Sequence, residues 1–390
     1  MIVILGGDET GLAVVRNAAR VGLRPVVLAR HNDVTTRSRL ARCVTITRPL
    51  GAAELAAVCA EGGPDVRPPL IATNDWWLRF VMAHRATLEE RFSVLHPSNT
   101  VLETCLNKRR FAQWATAHEI RTAELVDVPG DAMTVDATAS RLPFPLFLRP
   151  ESSNDAPLHL VPKAVAVTNA AELRAAAQAF DAAAAPWVAT RSLLGDVQAQ
   201  YSVGVAVREK TRLSYVAQKL RPLPDRCAVG SYVALRPHAA AEALAHAVLE
   251  RMGFDCGIAE VEILATRTGE LRVIEVNPRP WSQFALSYRS GHDLLSLVLG
   301  SPGLHATSHR EGLAWIDVSN DLFVCFARGD GMVRRGRIGL VDYVRSLARV
   351  RVLSTFALSD PYPGLRAMLN LAREGLRRTA CRTRGGAAQP

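Results

Sequence analysis

The sequence has 390 residues, of which 48% are hydrophobic, and its formal net charge at pH 7 is +10. This length and apolar content are enough for a substantial core divided over two or three domains. No run of 18 or more apolar residues occurs, and the first residues read as a strand instead of a signal peptide, so we expect neither a membrane-spanning nor a secreted protein.

The 7 cysteines are scattered along the chain, and none belongs to a C-x-x-C pair. This pattern argues against a disulfide framework and against a cysteine zinc site, and it is typical of reduced thiols. We therefore expect a cytoplasmic protein.

The positive charge is concentrated at the C-terminal end. The last 60 residues contain 12 arginines, no lysine and 3 acidic residues. A basic segment of this kind can bind nucleic acid or an acidic membrane surface. Because its end lacks interleaved aromatic residues, nucleic acid is not the partner we expect, and an arginine-rich solvated surface is the plainer alternative.

Residues 1–100 predict a small α/β domain. Strands are expected at Ile2–Leu5, Pro25–Leu28 and Leu70–Thr73, with an amphipathic helix over Leu12–Val21. The alternation of strand and helix indicates a parallel sheet.

The turn Gly6-Gly7-Asp8-Glu9-Thr10-Gly11 precedes the first helix and could hold an anion or carboxylate there. It does not match G-x-G-x-x-G, so a dinucleotide site is not indicated, and a simple strand-to-helix turn remains the alternative. Asp75 follows a strand at the end where ligands gather in open α/β sheets. It could equally cap the helix that begins there.

The central part of the chain predicts further strands and helices. A strand over 143–150 ends in Arg149-Pro150, and the segment Glu151–Pro162 after it contains no glycine. Strands are also expected at Gln198–Val207 and Leu213–Lys219, and a helix over His238–Gly253.

A β-hairpin is predicted over residues 258–276. The strands Ile258–Leu264 and Leu271–Val276 are joined by the turn residues 268–270. Successive side chains of a strand point to opposite faces, so Glu260 and Glu262 share one face of the first strand.

On the second strand, Glu275 and Asn277 share a face in the same way. Three carboxylates and an amide on paired strands provide the hard oxygen ligands that Mg²⁺ prefers, often together with substrate phosphates. Arg279 follows two residues later, where its guanidinium could contact phosphoryl or carboxylate oxygens. The alternative of a solvated acidic face is disfavoured because Glu275 lies in an otherwise apolar strand.

The last segment, residues 305–390, predicts a helical extension. Helices are expected over Val341–Val352 and Ala367–Arg378, with a rigid turn at Asp360–Pro363 between them. Residues 379–390 have the composition of a disordered tail.

The pattern G-x-x-E-V-E followed by I-E-V-N-P-R closely resembles the metal-binding end of the ATP-grasp superfamily, and the chain is most similar to its predicted carboxylate–amine ligases. The resemblance implies ATP and Mg²⁺ as cofactors, with Mn²⁺ as an alternative metal. It implies Glu262, Glu275 and Asn277 as metal ligands and Arg279 as the residue that stabilises the reacting phosphoryl group. Glu260 has no clear place in the family pattern.

The resemblance also implies a fold: a pre-ATP-grasp domain with a parallel sheet, followed by an ATP-grasp unit of two α+β lobes. The expected bounds are 1–100 for the first domain, 101–190 and 191–304 for the two lobes, and 305–390 for the extension. The metal site would belong to the second lobe.

Further residues match the family in part. Lys108, in an N-K-x-x-F pattern, is implied to bind phosphate. Arg149 stands where a phosphate-binding lysine is usual. Main-chain groups of Val188 and Thr190 would contact the adenine edge, and Lys219 and Arg221 would reach the γ-phosphate or an acidic substrate. This list completes the expected site: Lys108, Arg149, Val188, Thr190, Lys219, Arg221, Glu262, Glu275, Asn277, Arg279.

Two departures from the family pattern bear on activity. The glycine-rich loop that covers the phosphates in many members has no counterpart in residues 151–162, and Arg191 stands where a nucleotide-binding glutamate is usual.

The implied reaction joins a small-molecule carboxylate and an amine, such as amino acids, through an acyl-phosphate, with release of ADP and phosphate. A homodimer is expected, without a membrane partner. Three alternatives remain: an ATP-dependent carboxylase or kinase of the same superfamily, a non-catalytic ATP-binding sensor or partner subunit, and a nucleic-acid role of the arginine-rich end.

Overall fold

The protein is described here by a computed structural model that covers residues 1–47, 51, 55, 67–128, 141–152, 162–223, 229–301, 311–327 and 331–369. Within these residues the strands form three sheets. The predicted tail 379–390 and most of the glycine-free segment after Arg149 lie outside the described residues. Among the described helices, none combines the length and the apolar character that crossing a bilayer requires.

The first sheet is parallel, as the sequence predicts, and has the order β3-β2-β1-β4-β5. Its central strands are buried on both sides, which explains their continuous apolar runs. The strands are β1 (Ile2–Leu5), β2 (Pro25–Ala29), β3 (Arg42–Thr45), β4 (Pro69–Ala72) and β5 (Ser93–Val94).

Among the described residues, the helices beside this sheet include α1 (Glu9–Arg20), α2 (Asp75–Ala83), α3 (Arg85–Arg91) and α4 (Asn99–Leu106). The side chain of Asp8 caps α1 by accepting the N–H of Gly11 at 3.0 Å. Asn74 caps α2 by accepting the N–H of Trp77 at 3.1 Å, so the alternative of Asp75 as this cap is wrong.

The second sheet is antiparallel and has the order β6-β9-β7-β8. Its strands are β6 (Leu125–Val126), β7 (Leu146–Pro150), β8 (Val165–Val167) and β9 (Trp187–Arg191), and its helices are α5 (Lys108–Ala117) and α6 (Ala170–Ala182). Leu173, Ala177 and Phe180 lie on one face of α6 and form a core with the apolar side chains of the sheet.

The third sheet has the order β14-β13-β10-β11-β12-β15-β16 and is antiparallel except for its last pair. The predicted hairpin forms two of its strands. Its elements are β10 (Val197–Arg208), β11 (Thr211–Leu223), β12 (Val229–Leu235), α7 (Ala239–Arg251), β13 (Cys256–Thr266), β14 (Leu271–Asn277), α8 (Ala285–Ser290), α9 (Leu294–Val298), β15 (Ala314–Ile316) and β16 (Val350–Leu353).

The two faces of this sheet belong to different cores. Val203, Val205 and Val261 point to the face that α7 covers, and they form one cluster with its Val248. The opposite face contributes apolar residues such as Ala206 to the core that it shares with the first sheet. The carboxylates of the hairpin lie on this second face.

The C-terminal extension contains α10 (Val318–Phe326) and α11 (Leu340–Leu347). The expected helix over 341–352 is too long: it ends at Leu347, and β16 follows and pairs with β15. Pairing with a distant strand overrides the local helical pattern here. Residues 362–369 form a further helix, and the remainder of the helix predicted over 367–378 lies outside the described residues.

Asp360 attaches this extension to the first sheet unit. Its carboxylate is fully buried and accepts hydrogen bonds from Arg16 Nε at 3.3 Å, Ser38 Oγ at 2.9 Å and Arg39 N at 3.1 Å. The predicted rigid turn at 360–363 and the Ser38-Arg39 pair, far apart in sequence, therefore form one contact.

Candidate active site

The hairpin places its acidic side chains on one face. In the register of β13 and β14, Glu262 is opposite Glu275, and Glu260 is opposite Asn277. Directly opposite residues in an antiparallel pair point to the same side of the sheet. Three carboxylates and one amide therefore meet there, which we call the carboxylate face.

Hydrogen bonds connect the members of the carboxylate face. Asn277 Nδ2 donates to Glu260 Oε2 at 3.2 Å and to Glu275 Oε1 at 3.1 Å. Ser202 Oγ, on the neighbouring strand β10, donates to Glu260 Oε1 at 2.5 Å. Glu260 is only 3% exposed, so the residue for which the family pattern had no place is a buried member of this group.

Lys219 also lies at the carboxylate face. Its Nζ is 2.5 Å from Glu262 Oε1 and 3.9 Å from Glu260 Oε1. Burial raises the pKa of Glu262 to about 7; Glu260 and Glu275 add to this increase, while Lys219 opposes it. One ammonium therefore does not balance the carboxylates, and the site favours an additional cation.

Gln200 is a member of this site that we did not predict. Its Nε2 donates to Glu262 Oε2 at 2.9 Å, whereas its Oε1 is buried without a hydrogen-bond partner. An unsatisfied buried carbonyl oxygen beside carboxylates is suited to bind a hard cation. The signal in the sequence was a polar side chain in an apolar strand, but its neighbours could not be known without the strand order.

The oxygen donors fit Mg²⁺ in combination with phosphates. Within the described ranges, no group of three or more His, Cys, Asp or Glu side chains is arranged to hold a metal ion alone. Mg²⁺ often uses only one or two carboxylates and takes its other ligands from substrate phosphates and water. Glu262, Glu275, Asn277 and Gln200 could serve such a shared site.

Arg279 lies between the hairpin and the first sheet unit. Its Nε is 2.6 Å from Asp75 Oδ1, and its Nη2 donates to Asn277 Oδ1 at 3.3 Å. Burial alone would raise the pKa of Asp75, but the ion pair with Arg279 outweighs burial and holds that pKa below its usual value. Asp75 thus orients the guanidinium of Arg279, the residue for which the family resemblance implies stabilisation of the reacting phosphoryl group.

Lys108 and Arg149 contribute positive charge near the carboxylate face. Burial lowers the pKa of Lys108; Glu275 and Asp75 oppose this decrease, and Arg149 and Lys163 add to it. These mutual effects require the charges to be close in space. Lys108 therefore lies within electrostatic range of both Glu275 and Arg149.

Val188 and Thr190 lie in β9, opposite Arg149 and Phe147 of β7. Because β9 has a neighbouring strand on each edge, its main-chain groups are largely occupied by sheet pairing. The expected contact with an adenine edge gains no support from this position and stays a prediction.

Arg221 lies apart from the carboxylate face. Its Nε is 2.5 Å from Asp321 Oδ1, its Nη1 donates to Ser346 Oγ at 2.9 Å, and its guanidinium stacks 3.8 Å from the ring centroid of Tyr232. A bulge between Lys219 and Arg221 breaks the alternation of β11, so two residues expected to act together point into different surroundings. The expected contact of Arg221 with a γ-phosphate is therefore not supported.

A cavity of about 430 Å³ is lined by residues including Asp8, Glu9, Asp33 and Ser282, the last of which follows Arg279 by three residues in the chain. Partial burial raises the pKa of Glu9 to about 7, and Asp317 and Asp8 add to this increase. The alternative in which the glycine turn holds an anion gains no support, because Asp8 caps the helix N-terminus and the acidic lining repels negative charge. The lining instead favours a cationic group.

His96 joins the first sheet unit to the loop after the hairpin. Its Nε2 accepts the N–H of Ala72 at 2.7 Å, and its Nδ1 donates to Pro278 O at 3.2 Å. Burial lowers its pKa to about 3; the Pro278 carbonyl opposes this decrease, and Arg85 and Arg279 add to it. Both ring nitrogens are thus used by the neutral ring.

We expect the fold to lose stability in acid because of His96. Its pKa is lower in the folded chain than in the unfolded chain, so its contribution is complete above about pH 6.5 and is lost as the pH falls towards 3. By linkage, the free energy of unfolding is lower at pH 5 than at neutral pH by about 2 kcal/mol because of this residue. Denaturant unfolding measures the free energy of unfolding at pH 7.5 and at pH 5. Its decrease between these pH values should be smaller in His96→Gln than in the unmodified protein, and equal decreases would contradict this assignment.

Solved structures share the architecture of this chain at low sequence identity. Carboxyaminoimidazole ribonucleotide synthase from Aspergillus clavatus, complexed with ATP, is 17% identical, with a TM-score of 0.60 over 79% of each chain. The biotin carboxylase domain of 2-oxoglutarate carboxylase from Hydrogenobacter thermophilus is 13% identical, with a TM-score of 0.61 over 80% of this chain and 73% of that one. L-amino acid ligase from Bacillus licheniformis is 15% identical, with a TM-score of 0.58 over 76% and 72%.

No protein-family model matches the sequence, and no curated protein matches it. The likeness to the solved structures therefore concerns the fold.

Proposed function

We propose, from the ATP-grasp fold of this chain and the chemistry of its carboxylate face, that it is an ATP-dependent ligase. It joins a carboxylate to an amine through an acyl-phosphate and releases ADP and phosphate. The observation that carries this proposal is the hydrogen-bonded group of Glu260, Glu262, Glu275 and Asn277, with Arg279 fixed beside it by Asp75. Glu260 is buried in this group, and the other three are half-buried. Solved structures with this fold include complexes with ATP and with MgADP.

Phosphoryl transfer depends mainly on positioning and on neutralising charge. Glu262, Glu275, Asn277 and Gln200 would hold Mg²⁺, which supplies charge neutralisation at the phosphates when it is bound. Lys219, 2.5 Å from Glu262, has a positioning role in this arrangement instead of the phosphate contact that we expected.

The cationic side chains act on the substrates. Lys108 and Arg149 orient the phosphates of ATP from the side of the second sheet. Arg279 has its Nε engaged by Asp75, which fixes the plane of the guanidinium and presents Nη2 to the carboxylate face. Preorganised donors of this kind stabilise the charge that develops on the transferred group.

The acidic cavity beside Ser282 supports an amine as the second substrate. An ammonium group is attracted to the carboxylates of Asp8, Glu9 and Asp33, and it can lose its proton before it attacks the acyl-phosphate. Amino acids combine the carboxylate and the amine in one class of molecule. We place this activity in the cytoplasm, where ATP is abundant.

Carboxylation is the second candidate. It uses the same phosphate chemistry with bicarbonate as the acid, and one of the solved structures with this fold is the biotin carboxylase domain complexed with MgADP and bicarbonate. The two reactions differ in what ADP release requires: bicarbonate for carboxylation, and an organic acid together with an amine for ligation.

We expect the purified protein to release ADP from Mg-ATP when it is given mixed amino acids and small carboxylates in bicarbonate-free buffer. Mass spectrometry should find a product equal to acid plus amine minus water. ADP release that requires bicarbonate would favour carboxylation, and tight ATP binding without any ADP release would favour a non-catalytic role. Absence of ATP binding would refute the assignment of the carboxylate face.

A further inference from the structure

One helix of the C-terminal extension turns its apolar side to solvent. In α11, the side chains of Leu340, Val341, Val344 and Leu347 are 59%, 61%, 58% and 38% exposed, whereas Tyr343 is buried. These four residues recur at helical spacing and form one continuous side. We call this side the α11 stripe. The neighbouring helix α10, whose Phe326 ring is 5.0 Å from that of Tyr343, also exposes apolar side chains.

A strongly basic cavity lies at the end of the same helix. It has a volume of about 630 Å³, and its described lining includes Arg236, Arg289, Arg349 and Arg351 together with one acid, Glu311. All four arginines are exposed. The cavity is therefore suited to a phosphate group or another anion.

The stripe and the cavity are parts of one surface. Ala348 lines the cavity and lies four and seven residues after Val344 and Val341, on the same side of the helix. Arg351 Nη1 donates to Ala348 O at 2.8 Å, which fixes this arginine at the helix end. An apolar strip thus leads directly to an anion-binding recess.

We propose that this surface binds anionic phospholipid at a membrane surface, with headgroup phosphate in the basic cavity and the α11 stripe in the interfacial region. Aliphatic side chains next to arginines are the combination that interfacial helices use. Such binding needs no membrane-spanning helix, so it revises the expectation that the protein has no membrane partner. It is independent of the proposed ligase activity.

Charge argues against a second copy of the chain as the occupant. Residues 331–369 contain 7 arginines and 2 acidic residues, and one of those acids, Asp360, is buried. In a symmetric dimer the same surface would face itself and bring like charges together. Nucleic acid would satisfy the arginines, but its phosphates gain nothing from exposed leucine and valine.

The test is flotation of the full-length protein with vesicles at 0.1 M NaCl. We expect binding to phosphatidylcholine vesicles that contain 30% phosphatidylglycerol, weaker binding to pure phosphatidylcholine, and loss of binding at 0.5 M NaCl. Each arginine at an anionic surface contributes about fivefold, so Arg349→Glu with Arg351→Glu should weaken binding about 25-fold or more. Val341→Ser with Val344→Ser should weaken it while leaving its salt dependence.

Arg91→Glu, a charge reversal at an exposed arginine of α3, is the matched control and should bind as the unmodified protein does. All variants should keep the melting temperature and the ADP release of the unmodified protein. The proposal is overturned if the double-glutamate variant floats with vesicles as well as the unmodified protein does, or if the unmodified protein floats with neither kind of vesicle. It is also overturned if the protein binds duplex DNA without floating and the serine variant retains this DNA binding in full. A dimer that forms through the α11 stripe without vesicle binding would also overturn it.

Discussion

Replacement of Glu275 by glutamine is expected to lower ADP release about 1000-fold without weakening the fold. Glu275 would help to hold Mg²⁺, which would supply several kcal/mol of charge stabilisation, and about 4 kcal/mol corresponds to this factor. The same substitution removes one of three neighbouring carboxylates, and Glu275 is one of the charges that raise the pKa of Glu262. The melting temperature should therefore stay equal or rise while activity is lost.

Glu270→Gln is the matched control for this variant. Glu270 lies on the turn of the same hairpin, where its carboxylate pairs with Arg272 at 3.1 Å and not with the carboxylate face. It should keep nearly full ADP release. Substantial activity in Glu275→Gln, or a comparable loss in Glu270→Gln, would show that the carboxylate face is not where the metal and phosphates bind.

Removal of the Asp321 carboxylate is expected to destabilise the protein by about 3 to 5 kcal/mol. Asp321 is fully buried, and its two oxygens are 2.5 and 3.1 Å from Nε and Nη2 of Arg221. In Asp321→Ala the guanidinium would remain buried without its counter-charge, which is the costly way to break such a pair. Denaturant unfolding at neutral pH measures the difference in the free energy of unfolding between Asp321→Ala and the unmodified protein.

The double variant Arg221→Met with Asp321→Leu separates this effect from catalysis. Replacing both charges by apolar side chains should restore most of the stability, because no uncompensated charge remains. Glu103→Ala, which breaks the exposed pair with Arg110, should cost less than about 1 kcal/mol. If the stable double variant lost ADP release, Arg221 would have the phosphate-binding role that its position does not support.

Local sequence pattern predicted the parallel sheet of the first domain and the hairpin of the site, whereas the family resemblance implied the ATP-grasp unit. Alternation in β13 and β14 determines which side chains share a face, so Glu262, Glu275 and Asn277 could be grouped from sequence alone. The predicted fold, a parallel-sheet domain followed by an ATP-grasp unit, is confirmed by the solved structures that share it. The proposed domain bounds and the homodimer stay predictions.

Long-range strand pairing determines the rest of the candidate site. Gln200 and Ser202 reach the carboxylate face only because β10 pairs with β13, an order that no local pattern indicates. The partner of Arg279 lies 204 residues earlier in the chain. The bulge that separates Arg221 from Lys219 likewise depends on pairing with β12 and not on the strand's own sequence.

The contact between Asp360 and Arg16 has a consequence for synthesis on the ribosome. The two residues are 344 positions apart, so Arg16 emerges long before the carboxylate that it binds. At usual elongation rates this interval is roughly 20 to 70 seconds. During that time the first sheet unit can assemble its strands, but its partner segment does not yet exist. The amino-terminal domain therefore gains this contact only after residue 360 has been synthesised.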